Sequence, residues 1–216
     1  MRLFDISRTL SPTLAAWPGD EGVVLRKNAR IADGASVNLG AISLSLHNGS
    51  HADATFHFEE SGITMERMPL APYFGPAVVI DLRHLFADGA KPEIQVTDLE
   101  PHAAEISRTT RLLLRTDCWP DSREFPEWIP VLAADVPAWL GAHGVQFIGF
   151  DVPSVDRLDA KQLDNHHALA AAKIAIVESL DLSEISPGAY ELAALPLKIE
   201  GGDGAPVRAI LWRDAT

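Results

Sequence analysis

The stretch His47-Asn48-Gly49-Ser50-His51-Ala52-Asp53-Ala54-Thr55-Phe56-His57 constrains this chain more than any other. Three of the eight histidines and one carboxylate fall within these eleven residues. Each of the four side chains can bind a metal ion or move a proton, and imidazole combined with carboxylate suits zinc or manganese. A lone histidine is more often a satisfied polar group than a ligand. Four such groups at spacings of four, two and four are hard to explain as packing. Ile42, Leu44 and Leu46 alternate with Ser43, Ser45 and His47, the period of a half-buried strand with His47 on its polar face. Continued straight, that strand would carry His51 about 13 Å beyond His47. Two ligands of one zinc must each come within about 2.1 Å of the ion. The chain must therefore bend, and Asn48-Gly49-Ser50 is a turn-forming triplet. A helix would pair 47 with 51 and 53 with 57, but it would aim the pairs at different faces and run through Gly49. The spacing predicts a strand over 41–46 that runs into a tight, histidine-bearing loop.

At 216 residues the chain is long enough for one domain, 1–216, with a full-sized core. A formal net charge of −12 argues against nucleic acid or an anionic membrane surface as partner. It leaves a small-molecule site open, because a bound dication dominates its local field. Cys118 is the only cysteine, so no intrachain disulfide can form. It reads as a small buried hydrophobe, with nucleophile as the competing reading. The N-terminus, Met-Arg-Leu-Phe-Asp-Ile-Ser, has no long apolar run, and no stretch approaches the ~18 apolar residues of a membrane span. The expectation is a cytoplasmic enzyme.

Strands are expected over 2–6, 41–46, 77–81, 111–116, 145–150 and 173–177, with a closing pair over 191–197 and 207–212 around Gly201-Gly202-Asp203-Gly204. Residues 11–22 read as a loop carrying Trp17, Pro18 and Gly19. A helix is expected over 97–106 with Thr97 as its cap and a late start imposed by Pro101. Another runs over 133–143 to Gly144. A third begins near His166, capped by Asp164-Asn165, and continues to about Ala172. Strands outnumber helices, and the two alternate in the C-terminal half. The class is α/β with a mixed β-sheet.

A metal loop in the first third of a chain usually needs ligands from elsewhere. His166 and His167 lie in the first turn of the capped helix, so one of them can point inward; the competing reading is a helix-cap surface. Glu178 ends the apolar run Ile174-Ala175-Ile176-Val177. A carboxylate there is costly unless paired or metal-bound, or else it is a solvated strand end.

Taken together, Trp17-Pro18-Gly19-Asp20, the 47–57 motif, Leu163-Asp164-Asn165-His166-His167-Ala168-Leu169, Glu178 and the Arg208-Ala209-Ile210-Leu211 end resemble the bacterial kynurenine formamidases. Those enzymes belong to the cyclase superfamily of metal-dependent hydrolases, whose motif is His-x-Gly-Thr-His-x-Asp-x-Pro-x-His. Ser50 stands at the motif threonine and Thr55 at the motif proline. The resemblance implies a swivelling β/β/α fold in a single domain, usually a homodimer. It implies that His47 and His51 hold a first divalent ion, that Asp53 and Glu178 bridge two ions, and that His166 holds the second. Zinc is the expected metal and manganese the alternative. His57 becomes the general acid/base, and Trp17 lines the substrate pocket. The implied reaction is hydrolysis of N-formyl-L-kynurenine to L-kynurenine and formate, a step of tryptophan degradation.

The chemistry of the residues agrees. Amide hydrolysis needs a nucleophile at neutral pH and help for the leaving nitrogen, and a two-metal site can supply the first. Two carboxylates and three histidines suffice to build one. His57 is then left for proton transfer to an aniline-type nitrogen, and Trp17 offers a flat face for an aromatic ring. One rival is a hydrolase of the same superfamily that opens a cyclic amide such as isatin. Another is a mononuclear iron oxygenase using His51, Asp53 and a distant histidine, but that leaves His47 and His57 idle and finds no arginine between 166 and 185. A metal-binding scaffold without catalysis would give His57 no purpose.

Overall fold

The computed structural model describes residues 1–90 and 93–214. In chain order the strands are β1 Arg2–Asp5, β2 Val24–Ala29, β3 Leu39–Ser43, β4 His51–Asp53, β5 Phe74–Asp81 and β6 Arg111–Arg115. They continue as β7 Phe147–Phe150, β8 Ala175–Glu178, β9 Gly188–Ala193, β10 Gly204–Pro206 and β11 Ile210–Arg213. The helices are α1 Val96–Leu99, α2 Ala103–Thr109, α3 Val136–Ala142 and α4 Asp164–Ala171.

Nine strands form one mixed sheet in the order β1-β11-β9-β5-β6-β7-β8-β4-β10. The centre, β5 to β8, is parallel, and every pairing outside it is antiparallel. The central strands are apolar on both faces, as strands covered on both sides must be. Val78, Ile80, Leu112, Leu114, Ile148, Phe150 and Ile176 face one core, together with Leu140 of α3 and Leu169 of α4. The alternate residues Ala77, Val79, Leu113, Phe147 and Val177 face a second core with Leu192 and Leu211. The sheet curls around that second core: isolated bridges join Ser7 to Leu180 and Pro196 to Val207. Among the described residues no helix is long and apolar enough to cross a membrane.

The α/β class with a mixed sheet holds, and several local expectations need correcting. The strand expected over 41–46 ends at Ser43 and does not enter the main sheet; it pairs with β2 in a separate two-stranded ribbon. The chain turns before His47, where the Asn48 side-chain amide donates to the Glu21 carbonyl at 2.7 Å. His51 and Asp53 then sit on a strand of their own and not in a loop. The helix expected over 97–106 is broken into α1, a 3-10 turn at Glu100–His102 carrying Pro101, and α2. Its cap is Gln95, not Thr97, with the Asp98 carboxylate accepting the Gln95 N–H at 2.8 Å. Asp164 and Asn165 lie inside the first turn of α4 and do not cap it. The carboxylate of Asp156 does so from outside, accepting the N–H groups of Asn165 and His166 at 3.0 Å each. The closing pair is β9 with β11, and the glycine-rich segment between them supplies an additional strand, β10.

Candidate metal centre

Two residues of β4, His51 and Asp53, organise the site. β4 lies between β8 and β10, and the register sets His51 opposite Glu178 and Asp53 opposite Gly204. Side chains alternate along a strand, so His51, Asp53 and Glu178 share the face that α4 covers. Ala52, Val177 and Ala205 point the other way into the second core. α4 delivers His166 over that face at 3% exposure, while its neighbour His167 is exposed and packs edge-on against Phe58. The turn before β4 folds His47 back, with the His47 and His51 ring centroids 4.9 Å apart. Gly49 makes that turn possible. Its φ is +66°, and a Cβ there would stand 2.9 Å from Leu10 Cδ2.

The donor atoms converge on Asp53. Its Oδ1 lies 3.1 Å from His47 Nδ1 and 3.5 Å from His51 Nε2, and its Oδ2 lies 3.5 Å from His166 Nε2. Glu178 sits 3.4 Å from His51 Nε2 through Oε2 and 3.6 Å from His166 Nε2 through Oε1. Each imidazole is oriented from behind. His51 Nδ1 contacts the Gly49 carbonyl at 2.8 Å, and His166 Nδ1 contacts Asp156 Oδ2 at 2.7 Å. Donation from Nδ1 in both leaves Nε2 with a free lone pair, the arrangement that fixes histidine as a metal ligand.

Electrostatics makes the same demand. Asp53 is 3% exposed, and both its oxygens lack a hydrogen-bond partner. Burial would raise its pKa, but His166, His47 and His51 hold it well below the usual carboxylate range. A buried, ionised and unsatisfied carboxylate calls for a cation. Protons on the neighbouring imidazoles can also balance that charge. Burial lowers the pKa of His51 and His166, and the carboxylates around each more than offset this, raising both to about 10. Two donor groups, His47 with His51 and Asp53, and Asp53 with His166 and Glu178, each lie within 4.8 Å and share Asp53. The donor set fits divalent cations of the zinc and manganese kind.

His57 follows β4 on a 3-10 turn over Thr55–His57. Its ring stacks on His47 at 4.0 Å between centroids, and with His47 and Asp203 it makes a third set of donor atoms within 4.8 Å, apart from the two around Asp53. Its pKa is lowered, by burial first and by the like charges of His47 and His166, although Asp53 pulls the other way. A neutral imidazole beside the cluster can accept a proton. The Thr55 hydroxyl accepts the Ile63 N–H at 2.9 Å, a tie that a proline at this position could not make.

Over the cluster opens a cavity of about 290 Å³. His51, His57, His166 and Glu178 line one part, and Trp17, Trp119 and Phe125 supply aromatic wall. Trp17 meets Phe125 edge-on at 5.2 Å and keeps 36% of its surface exposed. Cys118 is absent from the lining, and burial pushes its thiol up to about 11, against the nucleophile reading.

Sequence reasoning missed Asp156, Asp203, Trp119 and Phe125. Asp203 Oδ2 lies 3.0 Å from His47 Nε2 and 3.5 Å from His57 Nδ1. None of the four has a spacing relation to the histidine motif. Gly-Gly-Asp-Gly reads as an ordinary turn, and its proximity to His47 arises only from the pairing of β10 with β4.

The family model described as putative cyclase matches residues 4–157. The chain is 44% identical to kynurenine formamidase of Salinibacter ruber over 218 residues, covering 100% of this chain and 99% of the relative. It is 43% identical to kynurenine formamidase of Geobacillus thermodenitrificans over 207 residues, 96% of this chain and 95% of that one. Among solved structures, isatin hydrolase A from Ralstonia solanacearum superposes with a TM-score of 0.83 at 22% identity, over 97% of this chain and 91% of that one, a likeness of fold.

Proposed function

The chain belongs to the putative cyclase family and is a hydrolase, and we propose that it hydrolyses N-formyl-L-kynurenine to L-kynurenine and formate at a centre of two divalent ions, zinc by preference. His47 and His51 would hold one ion, His166 the other, with Asp53 and Glu178 shared between them. The observation that carries the chemistry is Asp53, buried and ionised, with two orphaned oxygens facing three imidazoles. The near full-length identity to kynurenine formamidases supports the substrate.

Bound ions of this kind lower the pKa of water and polarise a carbonyl oxygen. The rest falls to the chain. Trp17 and Phe125, with Trp119 beside them, hold the substrate's aryl ring against apolar wall and keep water from that side. The formyl group, the smallest acyl group, reaches the cluster at the cavity floor. His57, neutral and next to the cluster, accepts a proton as the attacking water adds. It then passes that proton to the aniline nitrogen as the C–N bond breaks.

The test is kcat/KM on metal-replete protein for N-formylkynurenine against isatin. Preference for the formamide is expected. A preference for isatin of about tenfold or more, roughly 1.4 kcal/mol in transition-state binding, would reverse the choice of substrate.

A further inference from the structure

His47 is used in the opposite sense to the other two cluster histidines. His51 and His166 each turn Nδ1 away, to the Gly49 carbonyl and to Asp156, and aim Nε2 at the carboxylates. His47 instead sets Nδ1 3.1 Å from Asp53 Oδ1 and turns Nε2 toward Asp203 at 3.0 Å. His57 likewise has Nδ1 on the Asp203 side, 3.5 Å from the same Oδ2. We propose that Asp203 is a positioning residue that fixes the tautomer of His47, so that His47 ligates through Nδ1. The inference rests on the metal-centre reading above.

A neutral imidazole that donates from one nitrogen offers a lone pair only at the other. A carboxylate oxygen hydrogen-bonded to His47 Nε2 therefore decides that ring, while His57 Nδ1, at 3.5 Å from the same oxygen, stands beyond a formed hydrogen bond. The backbone holds that oxygen in place. The Asp203 carbonyl accepts the Ala54 N–H at 2.9 Å, the Gly202 carbonyl accepts the Met65 N–H at 2.8 Å, and Glu66 accepts the Gly201 N–H at 3.0 Å. Gly204 clears room for the His47 ring: a Cβ there would stand 2.8 Å from His47 Cε1 and 3.0 Å from Nε2. The Asp203 side chain is 42% exposed. An ion pair that exposed contributes little to stability, so the contact matters through the orientation it imposes.

Nitrogen-15 NMR of the histidine rings in the zinc-loaded chain tests this directly. His47 should show a protonated Nε2 and a zinc-bound Nδ1, with His51 and His166 showing the reverse. In Asp203→Ala the His47 pattern should be lost and zinc affinity should fall about 10–100-fold, the usual effect of removing a group that orients a ligand. Asp203→Asn keeps an acceptor oxygen at the same place and should restore the pattern. Gly204→Ala should disturb it in the same way as Asp203→Ala. Zinc on His47 Nε2 in the unaltered chain would overturn the inference, and so would an unchanged pattern and affinity in Asp203→Ala. If the alanine variant fails to fold, the spectrum of the unaltered chain decides alone. A chain that takes up no zinc would overturn the metal-centre reading and this inference with it. Zinc held through the wrong nitrogen would overturn the inference alone.

Discussion

In the proposed centre a metal ion would take the place of the protons that His51 and His166 carry beside the ionised Asp53. In the ion-free chain both histidines are raised to about 10, above the ordinary 6.5. The sign follows. Their protonated contacts with the carboxylates stabilise the chelated protein fully below pH 6.5, and that contribution is lost as pH rises through about 10. The melting temperature of chelated protein should therefore fall between pH 7 and 10, and added zinc should remove most of the fall. Zinc affinity should rise over the same interval by about a decade per pH unit for each proton displaced. A pH-independent affinity would mean that these histidines are not the ligands. His57 belongs to the other class. His57→Asn should keep the metal content and the fold while losing roughly 10²–10⁴ in kcat, and metal loss in that variant would make His57 a ligand. The motif spacing made His47, His51, Asp53 and His57 legible in the sequence. The choice of His166 over His167 came from the resemblance; in the fold it rests on burial, since only the inward side of α4's first turn meets the cluster.

At the scale of elements, the legible parts were those long enough to show a period. β5, β6 and β7 sit close to their expected places because a compact apolar run marks each: Ala77-Val78-Val79-Ile80, Leu112-Leu113-Leu114, and Phe147-Ile148 with Phe150. β4 has three residues, too few for alternation to register, and its strand character comes from neighbours remote in sequence, β8 and β10. β3 was partly legible as the strand expected over 41–46, but β2 and the ribbon they form were not: Val24, Leu25, Leu39 and Ile42 are exposed, so apolar alternation there does not report a core. The bend at Gly49 was legible because its residues are turn formers. Gly49→Ala should cost about 1–3 kcal/mol, since φ is positive and the new Cβ meets Leu10 and Leu14. The urea midpoint should drop accordingly. Zinc affinity should fall as well, because the Gly49 carbonyl orients His51. An unchanged midpoint would show that the turn relaxes freely.

Across the whole molecule, a sheet curled around one core presents its opposite face to α3, α4 and the cluster, and the 11–22 loop brings Trp17 to the rim of the same cavity. Trp17→Ala should keep metal and stability but raise KM about tenfold, roughly 1.4 kcal/mol of lost aromatic contact. Unfolding of the variant with normal binding by the surviving fraction would make Trp17 a structural anchor instead. In the proposed function two ions, held with Asp53 and Glu178 in common, would drive hydrolysis of an aryl formamide. The most direct measurement is a zinc titration of the metal-free chain, with kynurenine release from N-formylkynurenine followed at each addition. Activity should rise to a plateau at two equivalents of zinc per chain, and Glu178→Ala should abolish that two-equivalent plateau. Full activity at one equivalent, unaffected by Glu178→Ala, would contradict it.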